Sequence, residues 1–166
     1  MKNKINYYLL LVLICTASHC GKKEDNEICH YTIKFSNNTT KNLRVIYYFL
    51  HPIHHPDPLN IRKFSYTARG EIHKINSGEQ DNRSAMEGRA CIESIFKQEG
   101  YTDTVFVYVF DAELIENTPW EVVARDYLVL KRYDLTLGDL QRLDWRVTYP
   151  PTEAMKDIKQ YPPYGE

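Results

Sequence analysis

β-prone residues recur from Ile28 to Ser36 (Ile28, Tyr31, Ile33, Phe35), and Leu43 to Leu50 is again rich in them. Between them, Asn37-Asn38-Thr39-Thr40-Lys41-Asn42 supplies side chains that bond nearby backbone and favour a turn. The pattern predicts two strands joined as a β-hairpin with a longer loop. His51 to Pro58 holds three prolines, which exclude a helix or an inner strand there. Phe64–Thr67 and Glu71–Ile75 read as short strands, the second ended by Asn76-Ser77-Gly78. Ser84 and Glu87 have capping-box spacing, and Met86, Ala90, Ile92, Ile95 and Phe96 give a helical face that stops at Gly100.

Thr104–Phe110 is almost continuously apolar, as expected of a central strand. Thr118-Pro119-Trp120-Glu121 predicts a helix with Thr118 as N-cap, followed by a strand over Tyr127–Tyr133. Thr136-Leu137-Gly138-Asp139 opens a further helix, with Leu137, Leu140 and Leu143 on one side. Asp144–Tyr149 is a last strand, with Trp145 pointing inward between solvent-facing Asp144 and Arg146 and Pro150-Pro151 ending it. The sum is an α+β domain over residues 28–151, an antiparallel or mixed sheet or sandwich of about six strands with about three short helices. Residues 152–166 read as a flexible polar tail.

Composition narrows the class. With 166 residues, 26% charged and 43% hydrophobic, the chain suits one ordinary domain and neither a fibrous nor a disordered protein. Thirteen Tyr against six Phe favours strands and half-wet sites. Without residues 1–19 the 21 basic side chains lose Lys2 and Lys4, leaving 19 against 22 acidic ones. That balance argues against nucleic acid as a partner.

The N-terminus carries an address. Lys2 and Lys4 precede eleven apolar-leaning residues, Tyr7–Ala17, too few to span a bilayer as a helix but suited to a cleaved signal. Ala17-Ser18-His19-Cys20 resembles a bacterial lipoprotein processing site, which implies a signal peptide over 1–19 and lipidation of Cys20. Lys23-Glu24-Asp25 then resembles the surface-export signal of Bacteroidota-type lipoproteins, within a linker over 20–27. Together these imply a protein anchored by lipid to the outer membrane and facing outward.

A second resemblance lies near the C-terminus. Tyr133-Asp134-Leu135-Thr136-Leu137, Asp139-Leu140, Leu143, Trp145 and Tyr149-Pro150-Pro151 resemble the signature of a family of small Bacteroidota-type outer-membrane lipoproteins. The likeness covers Val129–Pro151, and Gly138 and Asp144 stand where that family usually has Glu and Asn. It implies address and fold, and it carries over no catalytic residue. Capping by Thr136 and burial of Leu140, Leu143 and Trp145 explain the same residues as folding determinants.

Candidate chemistry is sparse. The sequence holds none of the nucleophile-elbow, zinc-protease, P-loop or dinucleotide patterns, so an enzyme has no support from motifs. His51, His54, His55 and Asp57 place three imidazoles and a carboxylate in one loop, a donor set for Zn or Cu set against solvated loop histidines. Cys29 and Cys91 either bridge or pack as buried free thiols. Asp103-Thr104-Val105 resembles an O-glycosylation acceptor of exported proteins in this bacterial group, with Thr104 as the modified residue. Tyr47, Tyr48, Trp120 and Trp145 are candidates for a sugar platform, although alternation puts Tyr47 and Tyr48 on opposite faces and core packing is the stronger reading of both Trp. The expected role is therefore non-enzymatic binding or accessory work, with a glycan or an envelope protein as partner and no cofactor. The alternative is a metal-binding envelope protein using the His51–Asp57 loop.

Overall fold

The computed structural model describes residues 29–50, 72–83, 91–98 and 101–166. Its longest strand is β5, Tyr101–Asp111, the apolar stretch expected at the centre of a sheet. Around it lie β2 (Leu43–Leu50), β3 (Ile72–Ile75), β6 (Lys131–Thr136) and β8 (Lys159–Tyr161), in the order β3-β2-β5-β6-β8, every pair antiparallel. A second sheet has β1 (Lys34–Asn37) between β4 (Gln80–Asp81) and β7 (Arg146–Tyr149). Its β1–β4 pair is antiparallel and its β1–β7 pair parallel. The fold is α+β with one antiparallel and one mixed sheet. Among the described residues there are also four short helices: α1 (Ile92–Phe96), α2 (Ala112–Asn117), α3 (Trp120–Arg125) and α4 (Leu137–Arg142). None of these is long and apolar enough to cross a membrane.

The two sheets share one core. Ile33, Phe35 and Val147 come from the three-stranded side and meet Leu43, Val45, Tyr47, Val105, Val107, Val109, Tyr133 and Leu135 of the five-stranded side. Period-two alternation sends the intervening residues to the opposite face of the larger sheet. There α3 covers Ile46, Tyr108 and Phe110 with Val123, while Trp120 meets Phe110 edge-on at 6.1 Å. Tyr47 and Tyr48 accordingly lie on opposite faces, the first buried and the second half-buried.

Several expectations are corrected. β1 and β2 do not form a hairpin, because they belong to different sheets. Asn37, fully buried, donates from Nδ2 to the Lys41 and Asn76 carbonyls at 2.7 and 2.9 Å and accepts from the Thr39 N–H at 3.0 Å. These bonds tie the loop to the β3 end and carry the chain from one layer to the other. The strand expected at Tyr127–Tyr133 is instead Lys131–Thr136, since Tyr127 has φ 50° and Leu128 and Val129 pack beside α3. Pro119, not Thr118, is the N-cap of α3, and α2 begins unexpectedly where Asp111 accepts from the Glu113 and Leu114 N–H groups. Residues 152–166 are not a free tail: β8 pairs with β6, and Met155 and Ile158 enter the core. The Ser84–Glu87 capping box and the Phe64–Thr67 strand lie outside the described residues.

At α4 the local code reads through directly. Asp139 N–H donates to Thr136 Oγ1 at 3.1 Å, and Thr136 N–H donates back to Asp139 Oδ2 at 3.1 Å. This reciprocal cap satisfies two orphan donors. Thr136→Ala is expected to lower stability by about 1 kcal/mol, read as a shift in the denaturant midpoint at unchanged slope.

Candidate functional site

Asn37 and Lys131 aside, the buried polar side chains among the described residues fall into three clusters. The first sits where the chain enters β1. Cys29 and Cys91 form a disulfide with Cα atoms 5.4 Å apart, linking the start of the domain to the N-cap of α1. Backbone bonds hold the same junction: Ile92 N–H donates to the His30 carbonyl and His30 N–H to Glu93 Oε2, both at 2.8 Å. His30 Nδ1 lies 2.5 Å from Glu93 Oε1. The imidazole stacks on Trp145 with centroids 4.1 Å apart and planes 16° from parallel. Glu93 is buried, whereas the histidine side chain keeps about a third of its surface in solvent.

The second cluster bridges the two sheets. His73 on β3 and Asp81 on β4 meet at 2.5 Å, both buried, and Arg83 donates from Nε to the other Asp81 oxygen at 2.7 Å. Burial alone would push the Asp81 carboxyl up; hydrogen bonds from His73 and Arg83 outweigh it and hold the group well below the usual carboxylate range.

The third cluster lies on the outer face of β6. Arg132 Nε donates to Asp134 Oδ1 at 2.7 Å, and Arg132 Nη1 to the Tyr127 hydroxyl at 3.0 Å. Lys159 reaches the same carboxylate at 3.2 Å. Strand register then places Asp134 beside Phe106 and Phe106 beside Tyr48. The result is a row of two half-buried aromatic rings next to a paired carboxylate.

Of the residues expected from sequence to carry function, Cys20, His51, His54, His55 and Asp57 lie outside the described residues. Thr104 is half-buried on β5, opposite Thr136, and its hydroxyl donates to Asp103 Oδ1 at 3.0 Å. Trp145 is buried, though in the turn before β7 rather than within the strand, with φ 58°. Sequence reasoning missed His30 and Glu93. The available signal was adjacency, since each of these residues stands within two positions of a cysteine.

No family model, curated protein or solved structure matches the chain. Asp81, Glu93 and Asp134 each face a cationic or imidazole partner of the chain itself.

Proposed function

We propose that this chain is a lipid-anchored outer-membrane protein, exposed at the cell surface, with a non-enzymatic binding or accessory role. The observation that carries this reading is the run Ala17-Ser18-His19-Cys20 followed by Lys23-Glu24-Asp25. It is supported by the ion pairs of the buried Asp81 with Arg83 and of Asp134 with Arg132, which suit a scaffold more than an acid–base catalyst. The half-buried Tyr48 and Phe106 beside Asp134 provide stacking surface of the kind that suits a sugar.

Cys20→Ala is expected to move the protein from the membrane to the soluble fraction of cells. Replacing Glu24 and Asp25 by Ala is expected to protect it from protease added to whole cells. Unchanged partition and unchanged accessibility would each count against the address. The metal-binding alternative is tested by titrating the disulfide form with Zn²⁺ and Cu²⁺. Sub-micromolar binding lost in a His54→Ala/His55→Ala variant would replace the present reading.

A further inference from the structure

The corner between β1 and α1 brings three metal-binding side chains together and sets a fourth, His30, against one of them. Cys29 and Cys91 sulfurs and a Glu93 carboxylate oxygen lie within 4.8 Å of one another. His30 Nδ1 lies 2.5 Å from the other Glu93 oxygen. The donors arrive as two short units, Cys29-His30 and Cys91-x-Glu93, and the units are joined by the Ile92-to-His30 and His30-to-Glu93 bonds. These hydrogen bonds hold the units in place whether or not the sulfurs are bonded to each other. In the disulfide form the imidazole stacks on Trp145.

In the disulfide form the sulfurs are spent on one another. Once reduced, two thiols stand beside a buried carboxylate, whose charge opposes forming thiolates. A divalent cation reverses that opposition. Two thiolates, one imidazole nitrogen and one carboxylate oxygen make a four-donor set suited to tetrahedral Zn²⁺. Partial exposure of Cys29, Cys91 and His30 leaves the corner open to a small thiol and to an ion.

We propose that reduction of the Cys29–Cys91 disulfide by a small-molecule thiol opens a zinc site formed by Cys29, Cys91, Glu93 and His30. Two molecules of the thiol deliver two electrons and two protons to the S–S bond, leaving Cys29–SH, Cys91–SH and one small-molecule disulfide. Zn²⁺ then displaces both thiol protons to solvent, and His30 Nδ1 turns from Glu93 to the metal. Because the ion binds only the dithiol form, it holds the pair reduced by mass action.

The test uses the full chain carrying Cys15→Ser, Cys20→Ser, His51→Ala, His54→Ala and His55→Ala, so that the loop keeps no imidazole and only Cys29 and Cys91 supply thiols. The protein is reduced with a phosphine and titrated with Co²⁺ as a spectroscopic probe for the zinc site. One equivalent should bind with sulfur-to-cobalt charge-transfer absorption, Zn²⁺ should abolish that absorption, and the disulfide form should show none. Glu93→Gln and His30→Ala should each weaken binding by at least about tenfold. In a thiol redox buffer, Zn²⁺ at a hundredfold excess over its Kd should raise the dithiol/disulfide midpoint by about 60 mV. Absence of charge-transfer absorption in the reduced chain overturns the proposal, as does equal binding by both variants. Should either variant fail to fold, the midpoint decides: no shift with Zn²⁺ in the parent chain is refutation.

Discussion

Asp81→Ala is expected to lower the stability of the domain by about 3–5 kcal/mol, because it removes a buried carboxylate that both His73 and Arg83 bond. His73 would lose its carboxylate in a site where it is 1% exposed, and Arg83 would lose the contact that draws it against the β4 end. The damage falls where the larger sheet hands the chain to the smaller one, since β3 is the edge of one and β4 the edge of the other. The same carboxylate predicts a pH dependence. The folded Asp81 carboxyl is held below its ordinary value, so its contribution is complete above the unfolded pKa of about 4 and is lost as pH falls through the folded value. Denaturant unfolding of the parent and of Asp81→Ala across pH 2–7 should therefore show a gap that narrows toward acid. A gap independent of pH would mean that the stability comes from packing around His73 and not from the charge on Asp81.

Trp145→Ala is the second large effect, expected to cost about 3–5 kcal/mol. Its ring is 5% exposed and packs in the main core with Leu140, Leu143 and Val147, stacked on His30. Its backbone is equally committed. The Trp145 N–H donates to the Leu140 carbonyl, and its own carbonyl accepts from Lys34 N–H, both at 2.8 Å, so this turn ends α4 and starts the β1–β7 pairing. Asp144 and Arg146 on either side are exposed. Calorimetry should rank Trp145→Ala well below Thr136→Ala in melting temperature, since the cap is a surface feature. A melting temperature unchanged in Trp145→Ala would place the ring in a surface-binding role and remove the folding explanation of the C-terminal signature.

Local determinants were written in the residues that use them. Leu43–Leu50 is the same strand by pattern and in the fold, and the Thr136 cap needs only the three residues that follow it. Periodicity and capping act within about one helical turn or one strand, so a short window of sequence contains the whole interaction. The same neighbourhood rule separated Tyr47 from Tyr48, whereas Trp145 is turned inward from a turn and not from a strand.

Partners brought from afar were not written there. β1 reads as half of a hairpin until β4 and β7 take both of its edges, the second from residues more than a hundred positions away. The segment 152–166 reads as a tail because Met155 and Ile158 find their apolar partners only across the core, and β8 finds its hydrogen bonds only on β6. Lys131, Arg132 and Asp134 look like solvent-facing charges in a strand. Burial becomes tolerable once Arg132 meets Asp134 and Lys131 donates to the Pro162 and Pro163 carbonyls at 2.7 and 3.1 Å. The candidate site follows the same division. Its residue types, two cysteines, a histidine and a glutamate, stand in the sequence as two short pairs, and only the packing of α1 against the entry to β1 turns them into one cluster of donors. A charge or a ligand is defined by what lies across from it, and in this chain that choice belongs to the tertiary structure.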